Sequence, residues 1–276
     1  MPKYAIAVDV TRCTGCYSCF LACKDEFVGN EYAPLSAPQA DKAPAWMRIE
    51  EKTHGSASKV KVDYTVVMCQ HCQEAPCMKA SDAVYRRADG IVVVDPVKAK
   101  GKKEIVDSCP YGVIFWNEEL NLAQKCTMCA QMIDAGEKTT RCVETCPNQA
   151  LAFGDLDDPN SAVSKAMQAK PGYESLRPEL GTSPLVQYYG LPKPFIAGEV
   201  LLKGKDECAK GVKVTLLKAG QSIAATETDF LGDFEFKGLA KGGEYTLRAE
   251  YAGYAAKEIA VKTDDSVNVG ELVLTR

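Results

Sequence analysis

The stretch Cys13-Thr14-Gly15-Cys16-Tyr17-Ser18-Cys19-Phe20-Leu21-Ala22-Cys23 decides the fold of the N-terminal part of the chain. Its cysteines follow the spacing Cys-x2-Cys-x2-Cys-x3-Cys, which matches the bacterial ferredoxin motif. Three closely spaced thiolates on a loop can hold three irons of one cubane, whereas the fourth lies on a following helical turn and points to a second cluster. Zinc sites use paired Cys-x2-Cys units or mix cysteine with histidine. Because His54 and His71 are the only histidines, the stretch predicts [4Fe–4S] clusters.

The composition is that of a globular protein with about two domains. The 276 residues are 46% hydrophobic and 25% charged, and the formal net charge is −4. This balance excludes a disordered or fibrous chain, and it offers no basic surface for nucleic acid. No apolar run approaches the length of about 18 residues that a membrane span needs, and the first residues do not resemble a signal peptide. We therefore expect a cytoplasmic protein without a membrane segment, although export bound to a partner stays open.

Twelve of the 13 cysteines lie between Cys13 and Cys146, which favours metal binding over disulfides, because disulfide scaffolds are short and secreted. The last group, Cys126-x2-Cys129-x12-Cys142-x3-Cys146-Pro147, repeats the first motif with an insertion between its second and third ligands. In paired clusters the fourth cysteine of each motif binds the other cluster. This crossing predicts set 1, which is Cys13, Cys16, Cys19 and Cys146, and set 2, which is Cys23, Cys126, Cys129 and Cys142.

The middle group, Cys69-x2-Cys72-x4-Cys77, lacks a fourth cysteine, and Cys109-Pro110 downstream lacks its three predecessors. At the standard spacing the four missing ligands fall on Ser81, Ala99, Lys102 and Ile105. The crossing rule assigns all four positions to a single cluster, so a whole ligand set is absent. The cysteines that remain form set 3, which is Cys69, Cys72, Cys77 and Cys109. Three complete sets predict three [4Fe–4S] clusters that carry electrons, because a cluster with four thiolates has no open iron position.

Several other residues could have either a functional role or a purely structural one. Cys208 is expected to be a structural thiol rather than a redox group. His71 can hydrogen-bond a cluster or a partner without being a ligand. Tyr111, Phe115 and Trp116 are expected to pack around the clusters rather than to relay electrons. The lysines of the run at 98–103 are expected to be solvated, and Lys102 either fills part of the missing site or contacts a partner. The run consists of Lys98, Lys100, Lys102 and Lys103.

The chain divides into three parts by its patterns. Residues 1–154 hold the clusters, begin with an alternating strand at Tyr4–Val10, and contain two similar Cys-Pro-turn-strand segments that indicate a duplicated ferredoxin unit. Residues 155–194 are rich in Pro and Gly and predict an extended arm with a short helix at Ala162–Lys170. Residues 195–276 predict seven short strands in a β-sandwich. The expected class is α+β. The strands are Ile196–Leu202, Val212–Leu217, Ser222–Thr228, Gly232–Phe236, Tyr245–Glu250, Ala255–Val261 and Val267–Leu274.

Residues 1–154 resemble the ferredoxin-like small subunits of molybdopterin oxidoreductases, the dimethyl-sulfoxide-reductase superfamily. Besides the cysteine groups, the segments that carry the resemblance are 45–50, 69–77, 89–96, 98–104, 108–113, 116–119 and 177–182. Members usually carry four cubanes, so the missing fourth set, together with the C-terminal β-domain, narrows the resemblance to the transhydroxylase branch. The C-terminal part resembles prealbumin-like domains of the carboxypeptidase-regulatory or Cna-B type, through Thr228–Phe234 and Gly242–Tyr245.

The resemblance implies that this chain is the iron–sulfur subunit of a heterodimer. The large subunit would then hold molybdenum in a bis(molybdopterin guanine dinucleotide) cofactor and bind the phenolic substrate. In the transhydroxylase branch a hydroxyl group moves from a tetrahydroxybenzene to pyrogallol with no net redox change. The alternatives are the electron-entry subunit of a reductive enzyme, such as a catechol dehydroxylase, and a free-standing polyferredoxin. No catalytic residue is expected on this chain, because the substrate site should lie on the partner.

Overall fold

The computed structural model describes residues 1–43, 45–57, 59–204 and 209–276, and it divides into two compact units. The first unit comprises Met1–Glu51 and Asp63–Leu191, and the second comprises Lys52–Val62 and Pro192–Arg276. Residues 155–191, which the sequence assigns to an arm, belong to the first unit.

The regular elements of the described chain are short, because loops carrying cysteine interrupt the first unit. The helices are α1 (Ser18–Phe27), α2 (Pro76–Ala80), α3 (Glu104–Asp107), α4 (Ala130–Asp134), α5 (Arg141–Glu144) and α6 (Ala162–Ala169). The strands are β1 (Tyr4–Asp9), β2 (Met47–Ser56), β3 (Lys59–Met68), β4 (Val84–Arg86), β5 (Val92–Val94), β6 (Phe115–Asn117), β7 (Leu122–Gln124), β8 (Leu151–Asp155), β9 (Val186–Tyr189), β10 (Ile196–Leu202), β11 (Lys213–Lys218), β12 (Gln221–Glu227), β13 (Asp233–Phe236), β14 (Gly243–Glu250), β15 (Lys257–Thr263) and β16 (Val267–Leu274).

β1 is the middle strand of a three-stranded sheet in the first unit. It pairs antiparallel with β8 and parallel with β9, where Ile6 lies opposite Val186. Successive side chains of a strand point to opposite faces. Ile6 accordingly packs into the main core among the cysteines, whereas Ala5 and Ala7 pack against a smaller cluster that contains Val163 of α6. The predicted strand and the predicted short helix are therefore both present, and together they fix the entrance to the first cysteine loop.

β2 and β3 form a two-stranded hairpin that the sequence analysis did not predict. Its base belongs to the first unit, and its outer part, Lys52–Val62, belongs to the second. Within the second unit Lys59 forms an ion pair with Asp233 at 2.8 Å. The sequence analysis did not assign this hairpin, although Lys59–Tyr64 alternates charged and apolar residues as a strand does.

The second unit is a β domain whose two sheets share one core. One sheet has the order β13-β10-β16 and the other the order β12-β11-β14-β15. Inward side chains from both sheets, among them Val200, Phe234, Leu216 and Leu247, are buried together. Leu216 of β11 lies directly opposite Leu247 of β14 in the register. Burial of apolar residues between two facing sheets is the usual stabilisation of such a domain.

Candidate iron–sulfur centre

Set 1 lies where β1 leaves its sheet. The carboxylate of Asp9 accepts a hydrogen bond from the backbone amide of Thr11 at 3.1 Å, and the loop then carries the cysteines into the start of α1. A Cβ on Gly15, which has a φ of +65°, would lie 2.8 Å from Cγ of Tyr64, so only glycine fits this tight turn. The four members of set 1 line one recess: Cys13, Cys16, Cys19 and Cys146.

Set 2 is assembled from three separate segments. Cys23 lies on α1, Cys126 and Cys129 lie on the turn before α4, and Cys142 lies on α5. All four are buried. Burial, with the nearby Cys142 adding to it, raises the pKa of Cys23 to about 12. Burial and the nearby Cys23 likewise raise the pKa of Cys126 well above its ordinary value. The fold therefore brings the four sulfurs of set 2 within electrostatic reach of one another.

Set 3 surrounds Cys69, which follows the end of β3. Burial, with the neighbouring Cys69 adding to it, raises the pKa of Cys72 to about 12. Burial also raises the pKa of Cys77 on α2 to about 11, although the nearby Lys125 offsets part of the effect. For Cys109, which follows α3, burial and then Cys69 raise the pKa against the opposing effect of backbone amides. The structure therefore gathers these four cysteines as well.

The three sets follow one another in the order 1, 2, 3. Burial, and then the nearby Cys142 of set 2, raise the pKa of Cys19 in set 1 to about 12. At the other end of set 2, Cys69 of set 3 adds to the burial that raises the pKa of Cys126. Set 2 thus has cysteines close to both other sets.

Backbone amides point at the sulfurs. The amide of Met128 donates to Sγ of Cys126 at 3.3 Å, and the amide of Ala150 donates to Sγ of Cys146 at 3.2 Å. Met128 and Cys129 have φ values of +54° and +50°, a left-handed turn that makes the amides converge. Such amides stabilise the negative charge of a cluster and tune its reduction potential.

The donor groups fit [4Fe–4S] clusters better than single metal ions. All twelve cysteines of the three sets are free, and only Cys16 is exposed. Buried thiols with raised pKa values become thiolates when a metal binds them. In the described part of the chain, no three Cys, His, Asp or Glu side chains are grouped tightly enough to bind one metal ion. Because a cubane spaces its thiolates around a whole cluster, dispersed groups of four cysteines suit cubanes and not zinc.

The position of the missing fourth set is filled by protein. Ala99 and Ile105 are fully buried in the main core. The hydroxyl of Ser81 accepts a hydrogen bond from the backbone amide two residues further on at 3.2 Å. The ammonium of Lys102 lies 2.5 Å from the carboxylate of Asp82. The four positions at which the motif spacing would put ligands are therefore engaged in apolar packing, a hydrogen bond and an ion pair.

His71 is buried beside Cys72. Its Nδ1 accepts a hydrogen bond from the backbone amide of Val92 at 3.1 Å, and its Nε2 has no hydrogen-bond partner among the described residues. Burial, with the nearby Lys125 and Arg86 adding to it, lowers the pKa of His71 well below its ordinary value. The imidazole is therefore neutral, and because Nδ1 is the acceptor, the proton lies on Nε2.

Two cations near the cysteines were not identified from the sequence. Lys125 is 3% exposed, and its ammonium donates to the backbone carbonyls of Val92 and of Cys126. Arg86 donates to the carbonyl of Cys72 at 2.7 Å and to that of Gln73 at 2.6 Å. The one available signal in the sequence is that Lys125 directly precedes a cysteine of set 2. Its burial is notable because lysine is rarely fully buried unless it is paired.

The aromatic residues considered in the sequence analysis have structural contacts. The hydroxyl of Tyr111 lies 2.7 Å from that of Thr182, and both side chains are buried. Phe115 and Trp116 are partly buried and pack against the main core, and the indole of Trp116 donates to Glu118 at 3.1 Å. These contacts agree with the expectation that the three aromatic side chains pack around the cysteine loops.

The remaining lysines of the run at 98–103 are at the surface. Lys98 and Lys100 are exposed, and the ammonium of Lys103 lies 5.6 Å from the ring centre of Trp116. Cys208 lies outside the described residues.

Two family models match the chain. A 4Fe-4S dicluster domain matches residues 60–156, and a carboxypeptidase regulatory-like domain matches residues 196–275. Within the described chain we find no helix that combines the length and the apolar character needed to cross a membrane. The cysteine-rich region and the β domain are thus each similar to a known family.

Several characterised proteins are similar to most of the chain. The pyrogallol hydroxytransferase small subunit of Pelobacter acidigallici is 40% identical over 99% of this chain and 100% of its own length. One subunit of the tetrathionate reductase of Salmonella typhimurium is 35% identical over 70% of this chain and 75% of its own. One subunit of the sulfite dehydrogenase of Allochromatium vinosum is 32% identical over 68% of this chain and 83% of its own. The chain therefore belongs to the iron–sulfur electron-transfer subunits of the molybdopterin oxidoreductase family, the family that includes the pyrogallol hydroxytransferase small subunit.

Proposed function

We propose that this chain is the small subunit of a molybdenum hydroxytransferase that acts on pyrogallol and forms phloroglucinol. The observation that carries the proposal is the 40% identity to the pyrogallol hydroxytransferase small subunit along essentially the full length of both chains. The tetrathionate reductase and sulfite dehydrogenase subunits match only about 70% of the chain, so the β domain also favours the hydroxytransferase.

In this proposal the chain binds three [4Fe–4S] clusters. The ligands are set 1 (Cys13, Cys16, Cys19, Cys146), set 2 (Cys23, Cys126, Cys129, Cys142) and set 3 (Cys69, Cys72, Cys77, Cys109). The common recess of set 1 and the mutual proximity of the cysteines in sets 2 and 3 support this assignment. The buried Ala99 and Ile105 support the absence of a fourth cluster. The proposed domains are 1–154 for a duplicated ferredoxin-like module, 155–194 for a connecting segment and 195–276 for a seven-stranded prealbumin-like sandwich.

The partner in this proposal is a large catalytic subunit in a heterodimer. That subunit holds molybdenum in a bis(molybdopterin guanine dinucleotide) cofactor, which supplies the oxygen-transfer chemistry. The residues of this chain hold the clusters, exclude water from sets 2 and 3, and connect set 1 to set 3 through set 2. Hydroxyl transfer between two polyphenols consumes no net electrons. In this proposal the clusters therefore set the oxidation state of the partner's metal, and no net electron passes through them in each turnover.

The test is an anaerobic purification of the complex, assayed with pyrogallol and a catalytic amount of tetrahydroxybenzene in the absence of an electron donor. Phloroglucinol formation by a molybdenum-containing heterodimer is the expected result. A heterodimer that stays inactive until a low-potential donor and a catechol are supplied would instead make the chain the electron-entry subunit of a reductive enzyme. A chain that purifies without a large partner would contradict both assignments.

A further inference from the structure

Lys125 is a buried cation without a carboxylate partner among the described residues. It is 3% exposed, it donates to the carbonyls of Val92 and Cys126, and no Asp or Glu in the described part of the chain lies within ion-pair distance of its ammonium. Burying an ammonium against neutral carbonyls alone is costly, and such groups are normally paired with an anion. The fold therefore retains a positive charge for which the described protein supplies no counter-charge.

Arg86 is a second cation near set 3, and it is partly buried. Its guanidinium donates to the carbonyls of Cys72, Gln73 and Gly90, and it forms no ion pair with any described carboxylate. Two of these carbonyls belong to the loop that carries Cys69, Cys72 and Cys77 of set 3. Arg86 therefore positions the ligand loop of set 3 and places its charge beside it.

The two cations and His71 converge on the same ligand set. Val92 accepts from Lys125 through its carbonyl and donates through its amide to His71 of the set 3 loop. The Nε2–H of His71 is a buried donor without an acceptor among the described residues. A [4Fe–4S] cluster held by set 3 would carry about two negative charges, and it would supply the anion and the acceptor that these groups lack.

The other two sets have different surroundings. Beside set 2 the carboxylate of Glu26, which pairs with Arg141, adds its negative charge to the burial that raises the pKa of Cys23 and of Cys129. The ammonium of Lys125 also donates to the carbonyl of Cys126 in set 2, whereas the ligand loop that Arg86 contacts is that of set 3. Set 1 includes the exposed Cys16, so solvent screens charges near it. A nearby cation favours the reduced form of a cluster, which carries one more negative charge, and a nearby anion disfavours it.

Set 3 is also at the closed end of the relay. Set 2 separates it from set 1, and the position where a fourth set would continue the chain of clusters is filled by Ala99 and Ile105. An electron that reaches set 3 has no further carrier within the described residues.

We propose that set 3 binds the cluster of highest reduction potential, that Lys125 and Arg86 raise this potential, and that this cluster is a one-electron store at the end of the relay. This inference rests on the proposed function, because it requires three clusters in a complex with a molybdenum subunit. One electron passes from the reduced molybdenum centre of the partner, or from dithionite in vitro, to the oxidised cluster, and the donor loses that electron.

The test is an anaerobic redox titration of the heterodimer, followed by electron paramagnetic resonance. The variants are Lys125→Met and Arg86→Met, with Lys98→Met as a matched control that removes an exposed lysine. The Cys77→Ser variant assigns set 3, because it alters the signal of the cluster to which Cys77 belongs. In each of the first two variants, the equilibrium constant for reduction of the most easily reduced cluster is expected to fall at least tenfold. This fall lowers the reduction potential of that cluster by about 59 mV for one electron. The control is expected to leave it unchanged.

Two results would overturn the inference while the proposed function stands. One is that Cys77→Ser alters a cluster other than the most easily reduced one. The other is that this potential is the same in Lys125→Met, Arg86→Met and the wild type. If Lys125→Met does not fold, Lys125→Gln removes the charge while it keeps a donor for the carbonyls. Fewer than three cluster signals in the wild-type complex would instead contradict the proposed function.

Discussion

Replacing Ile105 by alanine tests whether the missing fourth site is packed protein. Ile105 has no exposed surface and contributes to the main core at the position where a ligand would stand. The substitution removes three carbon groups, worth about 2.4 kcal/mol at about 0.8 kcal/mol for each buried CH2. The cavity left behind adds to this, so we expect a loss of about 3 kcal/mol in the free energy of unfolding, within the usual range of 2–5 kcal/mol.

The assay is thermal unfolding of the anaerobic heterodimer, followed by the loss of cluster absorbance. For a unit of this size about 1 kcal/mol lowers the midpoint by roughly 2–4 °C, so a decrease of roughly 6–12 °C is expected. The matched control is Val97→Ala in the same segment, because Val97 is 82% exposed and its truncation should change the free energy by no more than about 0.5 kcal/mol.

The result that refutes this reasoning is equal midpoints for Ile105→Ala and Val97→Ala. It would mean that Ile105 borders a space rather than filling one, and the absence of a fourth cluster would then need another explanation. Scan rate must be held constant, since unfolding with loss of clusters is irreversible and the midpoint depends on it.

Three further predictions concern charged groups. Burial opposes but does not outweigh the hydrogen bonds from Lys170 and Thr11 that hold the pKa of Asp9 below its ordinary value of 3.8. The stabilisation by this carboxylate is therefore complete above that value and is lost as the pH falls through the lowered pKa. The midpoints of Asp9→Asn and of the wild type should then differ by a constant amount from pH 7 to pH 5. A difference between the two midpoints that disappears in this range contradicts the assignment. Glu26→Gln weakens the pair with Arg141, whose Nε lies 2.6 Å from the carboxylate, and should lower stability by about 1–3 kcal/mol in the same thermal assay, whereas no change would show that the pair does not hold α1 to α5. Lys102→Met should leave the midpoint nearly unchanged, because its partner carboxylate is exposed and exposed pairs contribute little; a large loss would show that Lys102 supports the core of the filled site.

The cysteine spacing predicts much of the candidate centre because iron–sulfur ligation imposes a local geometry. Cys13, Cys16 and Cys19 must lie on one loop to reach one cluster, so their spacing carries the information. The crossing of Cys146 to this loop also follows from the motif, and the structure places Cys146 at the same recess. The ligand assignment itself stays a prediction until the clusters are examined directly.

The strands of the β domain are also readable from the sequence, since facing sheets impose an alternation of apolar and polar residues. The predicted segments Ile196–Leu202 and Val267–Leu274 coincide with β10 and β16. The pairing of β9 with β1 is different, because it joins residues that are far apart in the chain and leaves no local pattern. The segment at 155–194 was therefore predicted as an extended arm, although part of it completes the first sheet.

The contacts of the two cations near set 3 lie beyond what the sequence can predict. A lysine or arginine is normally exposed, and the one feature of the sequence that distinguishes Lys125 is the set 2 cysteine that directly follows it. The structure explains its burial, because Lys125 lies close to cysteine loops of both set 2 and set 3. The same holds for Arg86, whose acceptors are backbone carbonyls that leave no trace in residue type.

The most direct test of the central assignment is an iron and Mössbauer analysis of the anaerobically purified heterodimer. Three complete ligand sets predict about twelve irons on this chain, all in [4Fe–4S] clusters. Substituting one cysteine from each set, Cys13→Ser, Cys23→Ser or Cys77→Ser, should alter one cluster at a time. A fourth cluster, or a cysteine of one set whose loss alters the cluster of another, would contradict the assignment.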